Sequence, residues 1–193
     1  MSDSIRADPQ ALGKNTRLLR NAFGCFATGV AIVTAPRIEG GWIAITINSF
    51  SSVSLDPPLL LFSLSASSNC LSHLDASTTF GVSILKHDQQ VISNRFARPS
   101  TSHWDGMPMV QRAAGYMLVD GALATFSCRR HSRHLAGDHV IYISSIESFE
   151  SGRNTRPLAF FKGTYGSFTA DQGELATESR EMLDGSELSI GWG

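Results

Sequence analysis

The 193-residue chain predicts a mainly β protein, an antiparallel barrel with short helices at its periphery. Three observations carry that expectation. Apolar runs of strand length recur between turn signals, only three segments show helical spacing, and strands do not alternate with helices as a doubly wound parallel sheet requires. Neither a Gly-x-Gly-x-x-Gly nor a Gly-x-x-x-x-Gly-Lys-Ser/Thr run occurs, and those phosphate loops need a strand leading into a helix. No internal repeat is visible.

Residues 1–14 read as an exposed lead-in. Asn15 and Thr16 then cap a helix whose Leu18, Leu19, Ala22, Phe23 and Phe26 recur at helical spacing, with Gly24 weakening its middle and Thr28-Gly29 ending it. The β-branched run Val30–Thr34 and the strand Trp42–Ile47 form a hairpin about the Glu39-Gly-Gly41 turn. From Thr46 to Pro58 a run of hydroxyls and one amide reads as a polar loop. Pro57-Pro58 blocks a helix there and feeds the apolar strand Leu59–Leu64 in extended form.

Ser65–Asn69 is a second serine-rich turn, placed to cap a short helix carrying Leu71 and Leu74, and Thr79–Leu85 alternates as a strand. Asp88 caps a third helix with Val91, Ile92 and Phe96 inside and Gln89, Gln90, Asn94 and Arg95 outside, ending near Ala97 before Pro99. Residues 100–115 are irregular, with Trp104 as a core or flap residue. Tyr116–Arg130 and Val140–Phe149 read as long strands joined by a tight connection over 133–139, and Leu158–Phe161 with Thr164–Phe168 closes the sheet. The expected domain spans 15–168, followed by an acidic tail over 169–193.

Apolar content of 42% and charged content of 17% suit a globular domain that needs no metal or disulfide staple. The first residues lack the apolar core of a signal peptide, and no stretch has transmembrane length. Cys25, Cys70 and Cys128 are odd in number and lack Cys-x-x-Cys spacing, so they read as reduced, buried thiols in a cytoplasmic protein. Of 16 basic and 17 acidic residues, the stretch from Thr169 holds six acids and Arg180, which leaves the body mildly positive. That balance suits anionic small molecules and falls short of a nucleic-acid footprint. Neither nucleic acid nor membrane is an expected partner.

Asn48, Ser49, Ser51, Ser52 and Ser54, with the backbone N–H groups between them, make a dense set of neutral donors. Such a set suits a phosphate or the edge of a heteroaromatic ring, although a serine-rich surface loop with no ligand has the same composition. His131, His134 and His139 lie within nine residues and invite a metal reading, yet no thiolate or second carboxylate spacing supports it. His134 and His139 flank a four-residue connection and can point toward one place, while Asp138 reads as a turn former. Arg129, Arg130 and Arg133 read either as a solvated face or as a dock for cofactor phosphates.

Four stretches in order resemble the short-chain flavin reductases, the small reductase components of two-component flavin monooxygenases. They are Phe26–Thr34, Asn48–Pro58, His134–His139 and Pro157–Tyr165. The resemblance implies an antiparallel Greek-key split β-barrel with peripheral short helices, usually a homodimer. In that family NADH or NADPH reduces FMN or FAD, and the reduced flavin leaves for a separate flavin-dependent oxygenase component. Carried onto this chain, the flavin site falls on Thr28, Gly29, Thr46, Ile47, Asn48, Ser49, Phe50, Ser51, Ser52, Ser54, Ser63, Leu64 and Ser68. His139 becomes the nicotinamide contact, with Tyr165 a second candidate beside the ring. The chain departs from the family pattern at Ile47, where a small residue is usual and the larger side chain would narrow the pocket, and in the basic run 129–134. Rival readings on the same fold are a flavin-binding electron carrier or sensor, and a protein whose bound flavin reduces a small substrate directly.

Overall fold

The structure, a computed structural model, describes residues 16–98, 104–152 and 156–168. The lead-in over 1–14, the Asn15 cap, Pro99 and the acidic tail lie outside the described residues. In chain order the elements are α1 (Thr16–Phe23), β1 (Thr28–Gly29), β2 (Ala31–Pro36), β3 (Trp42–Ile47), β4 (Ser51–Leu55), β5 (Pro58–Ser65), α2 (Leu71–Ala76) and β6 (Thr79–Ile84). They continue with α3 (Gln90–Phe96), β7 (Met109–Gln111), β8 (Met117–Val119), β9 (Ala124–Ala136), β10 (His139–Ser151), β11 (Leu158–Phe161) and β12 (Thr164–Ser167). Seven strands form one antiparallel sheet in the order β3-β2-β6-β9-β10-β5-β4, with β1-β11-β12 and β7-β8 as smaller sheets. Among the described residues no helix is long and apolar enough to cross a membrane.

That strand order forces the large sheet to curl. Its two edge strands, β3 and β4, are consecutive in the chain and only residues 48–50 separate them. Laid flat, seven strands would hold their edges about 29 Å apart, six spacings of roughly 4.8 Å. The four Cα steps from Ile47 to Ser51 reach at most about 14 Å. The sheet therefore wraps until its edges meet, but no ladder joins β3 to β4 among the described residues, and the barrel stays open along that seam.

One side chain beside the seam continues the β4–β5 ladder. Ser49 Oγ donates to the Ser63 carbonyl at 2.8 Å and accepts the Ser63 N–H at 3.1 Å. Ser51 faces Leu61 in the β4–β5 ladder, so the next rung would set residue 49 against 63. The serine hydroxyl occupies that rung in place of a backbone group, while the main chain turns away toward β3. Bulges between Ser52 and Ser54, between Ile143 and Ser144, and between Ile146 and Ser148 add local twist to the wrapped strands.

Alternation sorts the side chains into two cores. Ala31, Val33 and Ala35 of β2, Ile43 and Ile47 of β3, and Leu60, Phe62 and Leu64 of β5 face the barrel interior with Phe80, Val82, Cys128, Val140 and Tyr142. Phe62 stacks on Tyr142 with centroids 5.3 Å apart, and Phe80 meets both rings edge-on. A second core on the outer face joins Ile32, Leu85, Ile92, Phe96, Val119 and Leu158, and Trp104 packs there against Phe96 and Trp42. β8 crosses this sheet on hydroxyl contacts. Thr34 Oγ1 donates to the Met117 carbonyl, and Ser83 Oγ accepts the Val119 N–H at 3.0 Å.

The far end of the β9–β10 hairpin projects from the barrel, tied to α2 by Asp75. Arg133 donates to both carboxylate oxygens at 2.7 and 3.1 Å, and the hydroxyl of Tyr142 donates to one of them at 2.7 Å. Burial works to raise the Asp75 carboxyl, but the hydrogen bonds from Arg133 and Tyr142 and the charges of Arg133 and Arg130 hold it below the usual carboxylate range.

Several expectations need correction. Ser51–Leu55 is an edge strand rather than part of a loop, because β5 offers it a free edge to pair with. α1 stops at Phe23, buries none of its side chains, and Thr28-Gly29 pairs with β11 instead of ending a helix. The second serine turn bonds within itself, Ser65 Oγ to Ser67 Oγ at 2.8 Å, and no side chain caps α2. Asp88 pairs with Lys86 rather than capping α3. Gln89 is buried and Val91 exposed, because the Gln89 amide satisfies the carbonyls of Asp120 and Gly121 and the N–H of Lys86. Tyr116–Arg130 is two strands broken at 120–123. The 133–139 connection is mostly strand, its turn reduced to Gly137-Asp138 with Gly137 at φ 61°, as a two-residue hairpin loop led by glycine requires. Of the three free cysteines only Cys128 is buried; Cys25 is exposed and Cys70 half-buried.

Two outcomes test this packing. Gly81 lies under β8, where an added Cβ would sit 2.7 Å from Thr34 Oγ1 and 2.8 Å from Tyr116 Cδ2, so Gly81→Ala should cost about 1–3 kcal/mol in chemical unfolding. An unchanged denaturation midpoint would contradict the close crossing. Asp75 titrates below its unfolded value of about 3.9, so its contribution is complete above that pH and disappears as pH falls through the folded pKa. Asp75→Asn should therefore lower the melting temperature at pH 7 and flatten its decline between about pH 5 and 3. Parallel declines in variant and parent would rule the assignment out.

Candidate functional site

Register decides which candidate side chains share a face. On β5, Leu60, Phe62 and Leu64 point into the core, so Leu61, Ser63 and Ser65 point outward. Ser63 pairs with Ile141 and through it with His134, while Ser65 pairs with His139 and through it with Ala136. Residues directly opposite in an antiparallel ladder share a face. His134, His139, Ser63 and Ser65 thus lie together on the outer surface, with Ser49 bonded to Ser63 at the seam. The Ala66 N–H donates to the Asp138 carbonyl at 2.8 Å, which pins the second serine turn against the tip of the hairpin.

A second group meets at the end of β3. Thr46 Oγ1 donates to the Ser93 carbonyl at 2.7 Å, and Ser93 Oγ lies 2.8 Å from the hydroxyl of Tyr165. Thr28 joins through the small sheet, since Thr28 pairs with Phe160 and Phe160 with Tyr165. Among the described residues its buried Oγ1 has no hydrogen-bond partner, although nearly all such groups in folded proteins are satisfied. Gly29 is exposed beside it, and a Cβ there would meet nothing within 4 Å. Thr46 is three residues from Ser49, so both groups form one outer strip from Tyr165 through the seam to His139.

The remaining candidates divide clearly. Asn48, Ser51 and Ser52 are exposed at the seam, and Phe50 packs half-buried against Phe126 at 5.9 Å. Ser68 Oγ accepts the Cys70 N–H at 3.3 Å. Ile47 and Leu64 are 6% and 4% exposed in the barrel core, so their backbones border the strip while their side chains face away from it. Ser54 pairs with Leu59, four residues along β5 from Ser63, and is the candidate farthest from the seam on its strand.

His139 is exposed at the tip, its Nδ1 2.7 Å from Asp138 Oδ1. The hydrogen bond from His139, then its charge, lowers the Asp138 carboxyl. In the neutral ring a carboxylate on Nδ1 fixes the proton there and leaves Nε2 as the acceptor. His134 Nε2 is held 2.9 Å from Ser132 Oγ, and among the described residues no three metal-binding side chains group together. The arginines are all engaged. Arg129 pairs with Glu147, Arg130 caps the α2 carbonyls of Leu74 and Asp75, and Arg133 grips Asp75. These contacts give each of the three arginines a partner within the fold.

Reading the sequence for outward and inward faces missed Ser93. Ser93 lies on the buried side of α3 between Gln89 and Phe96, a stripe whose polar members hide it from hydropathy.

A family described as the flavin reductase like domain matches residues 23–169. The chain is 41% identical over 157 residues to the FMN reductase (NADH) SmoA of Agrobacterium fabrum, covering 81% of this chain and 88% of that protein. It is 38% identical over 167 residues to the reductase component of the flavin-dependent trigonelline monooxygenase of Acinetobacter baylyi, covering 86% of this chain and 54% of that longer protein. Among solved structures, the NADH:FAD oxidoreductase SgcE6 of Streptomyces globisporus superposes with a TM-score of 0.80 at 31% identity, covering 87% of this chain and 99% of that one. With the match running across the whole wrapped sheet and the outer strip on it, the chain belongs to the flavin reductase like domain family.

Proposed function

We propose that this protein is an NAD(P)H-dependent flavin reductase that takes FMN or FAD as a diffusible substrate and supplies reduced flavin to a separate monooxygenase component. The observation that carries the reading is the outer strip itself. It brings eight carried-over residues (Thr28, Gly29, Thr46, Asn48, Ser49, Ser63, Tyr165 and His139) onto one surface at the seam, where the family match runs unbroken. The strip fits a flavin, because Thr28 holds a buried hydroxyl without a partner and the wall beside Gly29 is open. When bound, the flavin accepts a hydride from the nicotinamide, and no acid–base triad is needed from the protein.

This chain's residues bind and orient. Asn48 is an exposed amide at the seam. Ser51, whose hydroxyl donates to the Ser52 carbonyl at 3.1 Å, lies on the outer face opposite Leu61, where its oxygen can accept from the ligand, while Ser52 lies opposite the inward-facing Leu60. Thr28 offers its unpartnered hydroxyl at the other end of the strip. His139, steadied by Asp138, stands at the hairpin tip where its Nε2 can meet the carboxamide of the nicotinamide.

We place the protein in the cytoplasm as a homodimer. Supporting the dimer, α1 is amphipathic yet buries nothing, its Phe23 is 69% and Phe26 just beyond it 78% exposed, and the free edge strand β4 carries Leu55 72% exposed. Sedimentation should report twice the chain mass at micromolar concentration, and Phe23→Asp with Phe26→Asp should shift it toward the monomer. A parent protein that sediments at one chain mass would end this reading.

Steady-state oxidation of NADH and NADPH with FMN, FAD and riboflavin tests the activity, and absence of flavin-dependent turnover with every pair would overturn it. Tight flavin retained through purification without such turnover would instead favour the electron carrier or sensor. Within that assay two variants should split. His139→Ala should lower kcat about tenfold or more with flavin KM little changed, as loss of an orienting contact does. Thr28→Val should raise flavin KM about fivefold while leaving stability level, since the hydroxyl has no partner to lose.

A further inference from the structure

We propose that Ser93, buried behind the strip, sets the hydrogen-bond polarity of two of its walls, making Tyr165 a donor and Thr46 an acceptor toward the ligand. The inference rests on the flavin-site reading above.

Ser93 is 0% exposed on the inner side of α3. Among the described residues its hydroxyl has one partner, the Tyr165 hydroxyl at 2.8 Å, and geometry alone allows either to donate. Burial decides the direction. A helical serine without another acceptor returns its hydrogen to the carbonyl one turn back. Here that carbonyl, Gln89, already receives the N–H groups of Ile92 at 3.0 Å and Ser93 at 3.2 Å, which uses both lone pairs. Were Tyr165 to donate to Ser93, the Ser93 hydrogen would be buried with no acceptor. That arrangement costs more than the alternative, in which Ser93 donates and the half-buried Tyr165 keeps its own hydrogen free.

The carbonyl of Ser93 acts in the opposite sense. It accepts the Ala97 N–H at 2.9 Å and the Thr46 hydroxyl at 2.7 Å. The Thr46 hydrogen is thereby committed, and only its lone pairs remain for a ligand. One buried serine thus leaves a donor on β12 and an acceptor at the end of β3. The pyrimidine edge of a flavin alternates carbonyl acceptors with an N–H donor, so it is complementary to such a pair. Tyr165 cannot easily swing away, because its ring packs edge-on against Phe160 with centroids 5.3 Å apart.

The test is a double-mutant cycle on the full chain with Ser93→Ala and Tyr165→Phe, read as flavin KM, nicotinamide KM, kcat and melting temperature. Alanine favours the helix and leaves little void, so Ser93→Ala should melt close to the parent, whereas Tyr165→Phe strands the buried Ser93 hydroxyl and should melt lower, a loss the double variant recovers. Each single change should raise flavin KM about fivefold to tenfold with nicotinamide KM unchanged, and the double variant should lose no more than either single one. Additive losses, or a Ser93→Ala protein with parental flavin KM, would overturn the inference and leave the reductase reading standing. A parent protein without flavin turnover would remove both.

Discussion

The wrapped sheet depends on a three-residue link whose length no other feature can relax. Residues 48–50 join the two outermost strands of a seven-stranded sheet, and a chain that short cannot cross a flat one. Curling follows from connectivity, and Ser49 then stands in for the missing rung between β4 and β5. The hydroxyl can do this because it both donates and accepts, as the N–H and C=O of a paired residue do together. Alanine at that position would leave the Ser63 N–H and C=O facing the seam with nothing to bind.

Everything functional inherits its place from that closure. Once the edges meet, strand alternation sends Phe62, Leu64 and Tyr142 inward and Ser63, Ser65 and His139 outward, so the aromatic cluster that stabilises the barrel also fixes the face on which the polar residues appear. The hairpin tip is laddered to β5 as far as the His139–Ser65 pair, while among the described residues β9 beyond Arg130 has no strand on its outer side and is largely exposed. Asp75 supplies an anchor there by taking Arg133 from the arm and Tyr142 from the core. Stability and positioning therefore share one carboxylate, set well back from His139.

How much of this was legible in the sequence follows from the range of each interaction. Strand character, the three helices and the serine and histidine segments depend on local pattern and were readable. The α3 face was misassigned because Gln89 is buried by three hydrogen bonds to residues 86, 120 and 121, and two of those partners are about thirty residues away. The arginine run kept two readings for the same reason, as its partners Asp75 and Glu147 lie on other elements. Ile47 illustrates the limit of reading a strand end. Its departure from the family pattern falls beside the site in sequence, yet its side chain belongs to the barrel core, so its size bears on the packing behind the strip.

The ionisation pattern separates structural from functional groups. The largest upward shifts fall on Cys128 and Tyr142, both pushed up to about 12 chiefly by burial, and both belong to the barrel interior. Along the outer strip the groups proposed to meet a ligand are hydroxyls, an amide and the imidazole of His139. Neutral hydrogen bonds are about half as strong as charge-assisted ones, so such a surface holds a ligand by number and shape. A reductase that must release its product to another protein needs that kind of grip, strong enough to align two rings and weak enough to let one go. The arginines that could have strengthened it are instead spent on Asp75, Glu147 and the end of α2.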